Sequence, residues 1–100
     1  MKKNLEQILS EIRALFDLVQ NKYDVENIEV FGSYARSDQK RTSDVDLLVT
    51  FKRTPSLIQF IGLENFLSDN LGIKVDLVMK DSLRDEIKGH IIKEAVPIYK

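Results

Sequence analysis

Between residues 4 and 22 the apolar side chains recur at three- and four-residue steps: Leu5, Ile8, Leu9, Ile12, Leu15, Phe16 and Val19. That period predicts an amphipathic helix. Asn4 carries the side-chain oxygen that an N-cap uses. Glu6, Glu11, Arg13 and Lys22 fall off the stripe, toward solvent. The pattern then shortens. Ile28-Glu29-Val30-Phe31 reads as a strand that stops at Gly32. Ser33 to Arg36 has room for one or two helical turns, and the polar run Ser37 to Ser43 reads as a loop. Val45 to Phe51, with Val45, Leu47, Leu48, Val49 and Phe51, is the strongest strand in the chain.

Thr54-Pro55-Ser56 closes that strand and opens a second long helix. Leu57, Phe60, Ile61, Leu63, Phe66 and Leu67 give this helix a wide apolar face, and Gly72 suits the residue just past its end. Lys74-Val75-Asp76-Leu77-Val78 predicts a third strand. Ser82, with Asp85 three residues on, resembles a capping box for a last helix from Leu83 to about Glu94, with Ile87 and Ile91 turned inward. Pro97 ends it, and Ile98-Tyr99 predicts a short edge strand. The order α-β-(short α)-β-α-β-α-(β) describes a small two-layer α/β or α+β fold, in which helices bury the apolar face of a mixed sheet.

Composition narrows the class. One hundred residues with 43% apolar and 31% charged positions are expected to form one domain, residues 1–100, with a single core. The net charge of -1 and pI of about 5.8 offer no basic excess for broad nucleic-acid or membrane binding. The absence of cysteine excludes disulfides and thiolate metal sites. The start Met1-Lys2-Lys3-Asn4 is basic, but the residues after it are amphipathic, unlike a signal peptide. No apolar run is long enough to span a bilayer, so a cytoplasmic protein is expected.

Chemistry concentrates between the first two strands. Gly32 lets backbone approach a phosphate closely, Ser33 adds a hydroxyl, and Arg36 stands about one helical turn further on. Taken alone, Gly-Ser describes an ordinary turn. Asp44 and Asp46 say more, because residues i and i+2 of a strand share a face. Two carboxylates that close repel unless a cation lies between them. Hard oxygen ligands select Mg²⁺ or Mn²⁺, and Mg²⁺ commonly combines one or two carboxylates with substrate phosphates. A lone Asp-x-Asp is more simply a loop cap and a solvated strand start. Asp76 changes that balance: it interrupts an apolar strand, and if that strand lies beside Val45–Phe51 its carboxylate joins the other two. Three carboxylates around metal suit phosphoryl or nucleotidyl transfer, with Asp76 as metal ligand, general base or both.

Gly32-Ser33, ten intervening residues, Asp44-Val45-Asp46 and a separate Asp76 together resemble the nucleotidyltransferase signature of the DNA polymerase β superfamily. The strings Phe31-Gly32-Ser33-Tyr34-Ala35-Arg36 and Ser43-Asp44-Val45-Asp46-Leu47-Leu48-Val49 are similar to its minimal members, the MNT proteins found beside HEPN-domain partners in toxin–antitoxin pairs. The resemblance runs from Ile28 to about Val78, with no departure in the core signature. It implies that Gly32 and Ser33 hold the β- and γ-phosphates of ATP. It implies that Asp44 and Asp46 bind Mg²⁺, and that Asp76 completes the triad and activates the acceptor. The implied reaction places AMP on a tyrosine of a HEPN RNase toxin.

Other residues weigh less. Lys40, Arg41 and Arg53 could meet phosphate or partner, but exposed charges are usually just solvated. His90 is the single histidine and cannot build a histidine-rich metal site. Tyr34 is expected against nucleotide or sheet, and Tyr99 at an edge. Two other functions compete with the enzyme-antitoxin: an antitoxin that neutralises its partner by contact alone, and a nucleotidyltransferase acting on a small molecule or RNA end. The intact carboxylates favour catalysis, and the charge balance disfavours an RNA acceptor.

Overall fold

The computed structural model describes residues 3–99; Met1 and Lys2 of the basic start, and Lys100, lie outside them. Helix α1 spans Leu5–Tyr23. Asn4 caps it as expected: its side chain accepts from the Gln7 N–H while the Gln7 side chain accepts from the Asn4 N–H. The stripe inferred from the sequence is the buried one, with Ile8, Leu9, Ile12, Phe16 and Val19 in the core.

Strands β1 (Val25–Phe31), β2 (Val45–Phe51), β3 (Val75–Met79) and β4 (Val96–Pro97) form one sheet in the order β3-β2-β1-β4. β2 pairs parallel to β3, while β1 pairs antiparallel to both β2 and β4, so the sheet is mixed. The four-residue helix α2 (Ser33–Arg36) links β1 to the loop before β2, and α3 (Leu57–Leu71) makes the crossover from β2 to β3. Alternation gives the sheet two unlike faces. Ile28, Val30, Val45, Leu47, Val49, Val75 and Leu77 meet α1 and α3 in one core. Glu29, Asp46, Leu48 and Asp76 alternate with them and turn to the other face.

Four expectations need correcting. β1 begins at Val25, earlier than Ile28, because a register shift between Val25 and Asn27 breaks the alternation that marks a strand. The wide apolar face of α3 is only partly covered. Leu63, Leu67 and Leu71 are buried, but Leu57 and Ile61 are exposed, as is Ile58. Polar and apolar residues are interspersed around the helix, so its pattern does not select a single face. The last helix, α4, spans Asp85–Glu94 and buries no residue fully; Ile87 is 48% exposed. Its N-cap is Arg84 without a side-chain cap, since Ser82 instead closes a 3₁₀ turn at Lys80–Ser82. The edge strand forms two residues early, at Val96–Pro97, and Ile98 is fully buried behind it.

Candidate active site

The register of the sheet assembles the site. Asp46 pairs with Asp76 across the parallel β2–β3 ladder and with Phe31 across β1–β2. Directly paired positions share a face, and parallel strands lie about 4.8 Å apart. The two carboxylates therefore stand side by side, with the residue after Phe31, Gly32, next to them. The approach at Gly32 is close: a Cβ added there would press on Asp46 Oδ2 and lie 3.0 Å from its Cγ. Gly32 has φ +75°, a backbone that only glycine adopts freely. Both facts require the absence of a side chain. They bring the start of α2 against Asp46.

Asp44 lies two residues before Asp46, at the end of the loop, with its Oδ2 4.0 Å from Lys74 Nζ. Its charge reaches Asp46. Burial first, then the charges of Asp76 and Asp44, push the Asp46 carboxyl up to about 6, against a weaker opposing pull from Arg36. The set is a group of hard oxygens with more negative charge than the protein neutralises. Among the described residues no three His, Cys, Asp or Glu side chains converge closely enough to cage a metal by themselves. A hard divalent cation that takes one or two carboxylates and completes its shell from substrate phosphates and water fits this donor chemistry.

Ser33 opens α2, whose first internal bond runs from the Arg36 N–H to the Gly32 carbonyl. The Arg36 guanidinium donates to Asp38 through Nε at 3.1 Å and to Glu94 through Nη1 at 2.6 Å. Tyr34 is 3% exposed within the core, so it supports the turn from behind. Lys40, Arg41, Arg53 and His90 are exposed. Tyr99 packs edge-on against Phe16 at 5.6 Å. Two carboxylates, one at the site and one further along the same sheet, escaped the sequence. Glu94 contacts both ends of the Gly32–Arg36 segment. Glu29, 8% exposed on the same sheet face, receives a 2.8 Å bond from Lys80. An acidic residue at an apolar strand position was the available signal for Glu29; Glu94 had none without knowledge of β4.

A small mixed sheet carrying a Gly-Ser turn against paired aspartates defines a nucleotidyltransferase. The chain belongs to the nucleotidyltransferase domain family, whose model matches residues 5–98. Its relatives are protein adenylyltransferases: MntA of Thermococcus cleftensis is 46% identical over 92% of this chain and 93% of its own. Among solved structures, one provisionally named a minimal nucleotidyltransferase superposes with a TM-score of 0.81 at 30% identity, covering 95% of this chain and 96% of that one. A toxin–antitoxin complex with AMP-PNP gives 0.75 at 25% identity, covering 91% and 72%. A tri-AMPylated Shewanella oneidensis HEPN toxin with its MNT antitoxin gives 0.68 at 20% identity, covering 92% and 71%, a likeness of fold alone. Among the described residues no helix is long and apolar enough to cross a membrane.

Proposed function

We propose that this enzyme, acting as one domain over residues 1–100, transfers AMP from ATP to a tyrosine hydroxyl on a HEPN-type RNase toxin, and thereby serves as the cytoplasmic antitoxin of a pair. The observation that carries the reading is the register partnership of Asp46 with Asp76 beside the Gly32 turn. The AMP-PNP in one structural neighbour, itself a toxin–antitoxin complex, supports ATP as substrate, and the protein adenylyltransferases among the relatives support a protein acceptor.

Gly32 and Ser33 receive the β- and γ-phosphates, and Arg36 offers further N–H donors to them. The carboxylates of Asp44, Asp46 and Asp76 would share Mg²⁺ or Mn²⁺ with the substrate phosphates, and the ion would neutralise triphosphate charge and favour ionisation of the attacking hydroxyl. Asp76 takes the hydroxyl proton. The hydroxyl oxygen forms a bond to the α-phosphorus. The bond from that phosphorus to the bridging oxygen breaks, and pyrophosphate leaves. The negative charge crowded on Asp46 is what a bound cation would relieve.

The test uses ATP labelled at the α-phosphate, Mg²⁺ and the product of the neighbouring gene as candidate partner, with Asp44→Ala and γ-labelled ATP as controls. Label retained on the partner from α-labelled ATP only, and lost with Asp44→Ala, is the expected result. Partner capture by both versions without label transfer would mean neutralisation by contact.

A further inference from the structure

Glu94 is placed by the same sheet that places the aspartates. β4 pairs with β1 through Glu29 with Pro97 and Val30 with Val96. Continuing that antiparallel register by two residues brings Gly32 level with Glu94. The side chain uses the position fully. Its Oε2 accepts the Gly32 N–H at 3.2 Å, and its Oε1 accepts Arg36 Nη1 at 2.6 Å. One carboxylate thus grips both ends of the segment between β1 and the loop. The Glu94 side chain is 16% exposed and that of Arg36 50%, so the grip is anchored on the Glu94 side. The Arg36 hydrogen bond, chiefly, keeps the Glu94 carboxyl below its ordinary range, so it is charged at neutral pH.

A fourth carboxylate near Asp44, Asp46 and Asp76 is electrostatically unfavourable, and Glu94 adds to the pressure on Asp46. Its compensation lies in what it holds. Gly32 at φ +75° is the most freely rotating residue of the turn, and without a side chain it has only backbone bonds to fix it. Arg36 has five N–H donors, of which Glu94 and Asp38 each engage one nitrogen, leaving others for an anion.

We propose that Glu94 is a positioning residue for nucleotide binding, a clasp that fixes the Gly32 backbone and the Arg36 guanidinium in the arrangement that receives the phosphates. This rests on the reading that Gly32, Ser33 and Arg36 form the phosphate site. Preorganised donors bind an anion without first being ordered, so loosening the clasp weakens nucleotide affinity before it alters chemistry.

The experiment is calorimetric titration of AMP-PNP with Mg²⁺ into wild type, Glu94→Ala, Glu94→Gln, Arg36→Gln and the Arg36→Gln/Glu94→Ala double variant, each shown to be folded by circular dichroism. Glu94→Ala should weaken binding about tenfold. Glu94→Gln keeps one acceptor oxygen and should fall between. The Glu94→Ala effect should shrink in the Arg36→Gln background, which general loosening of α4 would not produce. Unchanged or tighter binding by Glu94→Ala, or an equal loss in both backgrounds, overturns the clasp. Should Glu94→Ala fail to fold, Glu94→Gln decides: wild-type affinity there also overturns it. Wild type that binds no nucleotide overturns the phosphate site and the clasp together, whereas binding that ignores Glu94 overturns the clasp alone.

Discussion

Asp46→Asn removes a charge and almost no volume from the centre of the site. Among the described residues no hydrogen bond holds the Asp46 side chain, so the amide loses no partner. The folded protein raises this carboxyl from 3.8 to about 6. A shift of about two pH units corresponds to about 3 kcal/mol for a carboxylate sealed from water. Asp46 is only half-buried, and screening by solvent reduces this to about 1–2 kcal/mol. The sign is set by proton linkage. The folded state binds the proton more tightly than the unfolded state, so the ionised carboxylate weakens the fold above pH 6. That weakening fades as pH falls through 6 and is nearly gone near 3.8. Asp46→Asn should therefore be more stable than wild type by about 1–2 kcal/mol at pH 7.5, and close to it at pH 4. Urea unfolding at both pH values, in chelator, reads the difference directly. In Mg²⁺ with AMP-PNP the order should reverse, since wild type gains ligand stabilisation that the variant lacks. A variant less stable than wild type at pH 7.5 without cation, or a gain that ignores pH, would refute the electrostatic account of the site.

Gly32→Ala should lose about 2–4 kcal/mol in denaturant unfolding, combining left-handed strain with the collision at Asp46. Gly72→Ala has φ +68° but open space around it, and should cost only about 1 kcal/mol. Leu63→Ala, in the core, should cost about 2–5 kcal/mol by the same assay. Ile58→Ala, at 85% exposure, should stay within about 0.5 kcal/mol. Asp44→Ala should lower transfer of α-label to the partner by at least about a hundredfold while leaving the unfolding midpoint near wild type.

The sequence spoke clearly where one local force dominates. An apolar stripe at three- and four-residue steps and an asparagine cap give α1, and apolar density gives β2 with the bounds Val45–Phe51. Ser56 and Gly72 mark both ends of α3. It spoke less clearly where tertiary contacts decide. Ile87 and Ile91 looked inward on period alone, but α4 is fastened through the polar grip of Glu94 more than through apolar burial. The carboxylates at 44, 46 and 76 were legible because a strand has a period of two, and acid in an apolar strand stands out. Glu94 was not, because its role depends on a two-residue strand and on the register that strand adopts against β1.

The parallel ladder also acts as a safeguard on the molecule's own quality. β3 lies at the sheet's edge and meets only β2. A slip of one residue there would not merely misalign the site. It would send Asp76 into the oily layer now filled by Val75 and Leu77, and carry those two outward. An unpaired charge sealed in that layer would cost several kcal/mol, a large share of what a chain this short has in reserve. Chains that assemble wrongly are thus unstable as well as inert. Surveillance by proteolysis, which recognises loosened chains, would clear the inactive copies without any means of detecting activity.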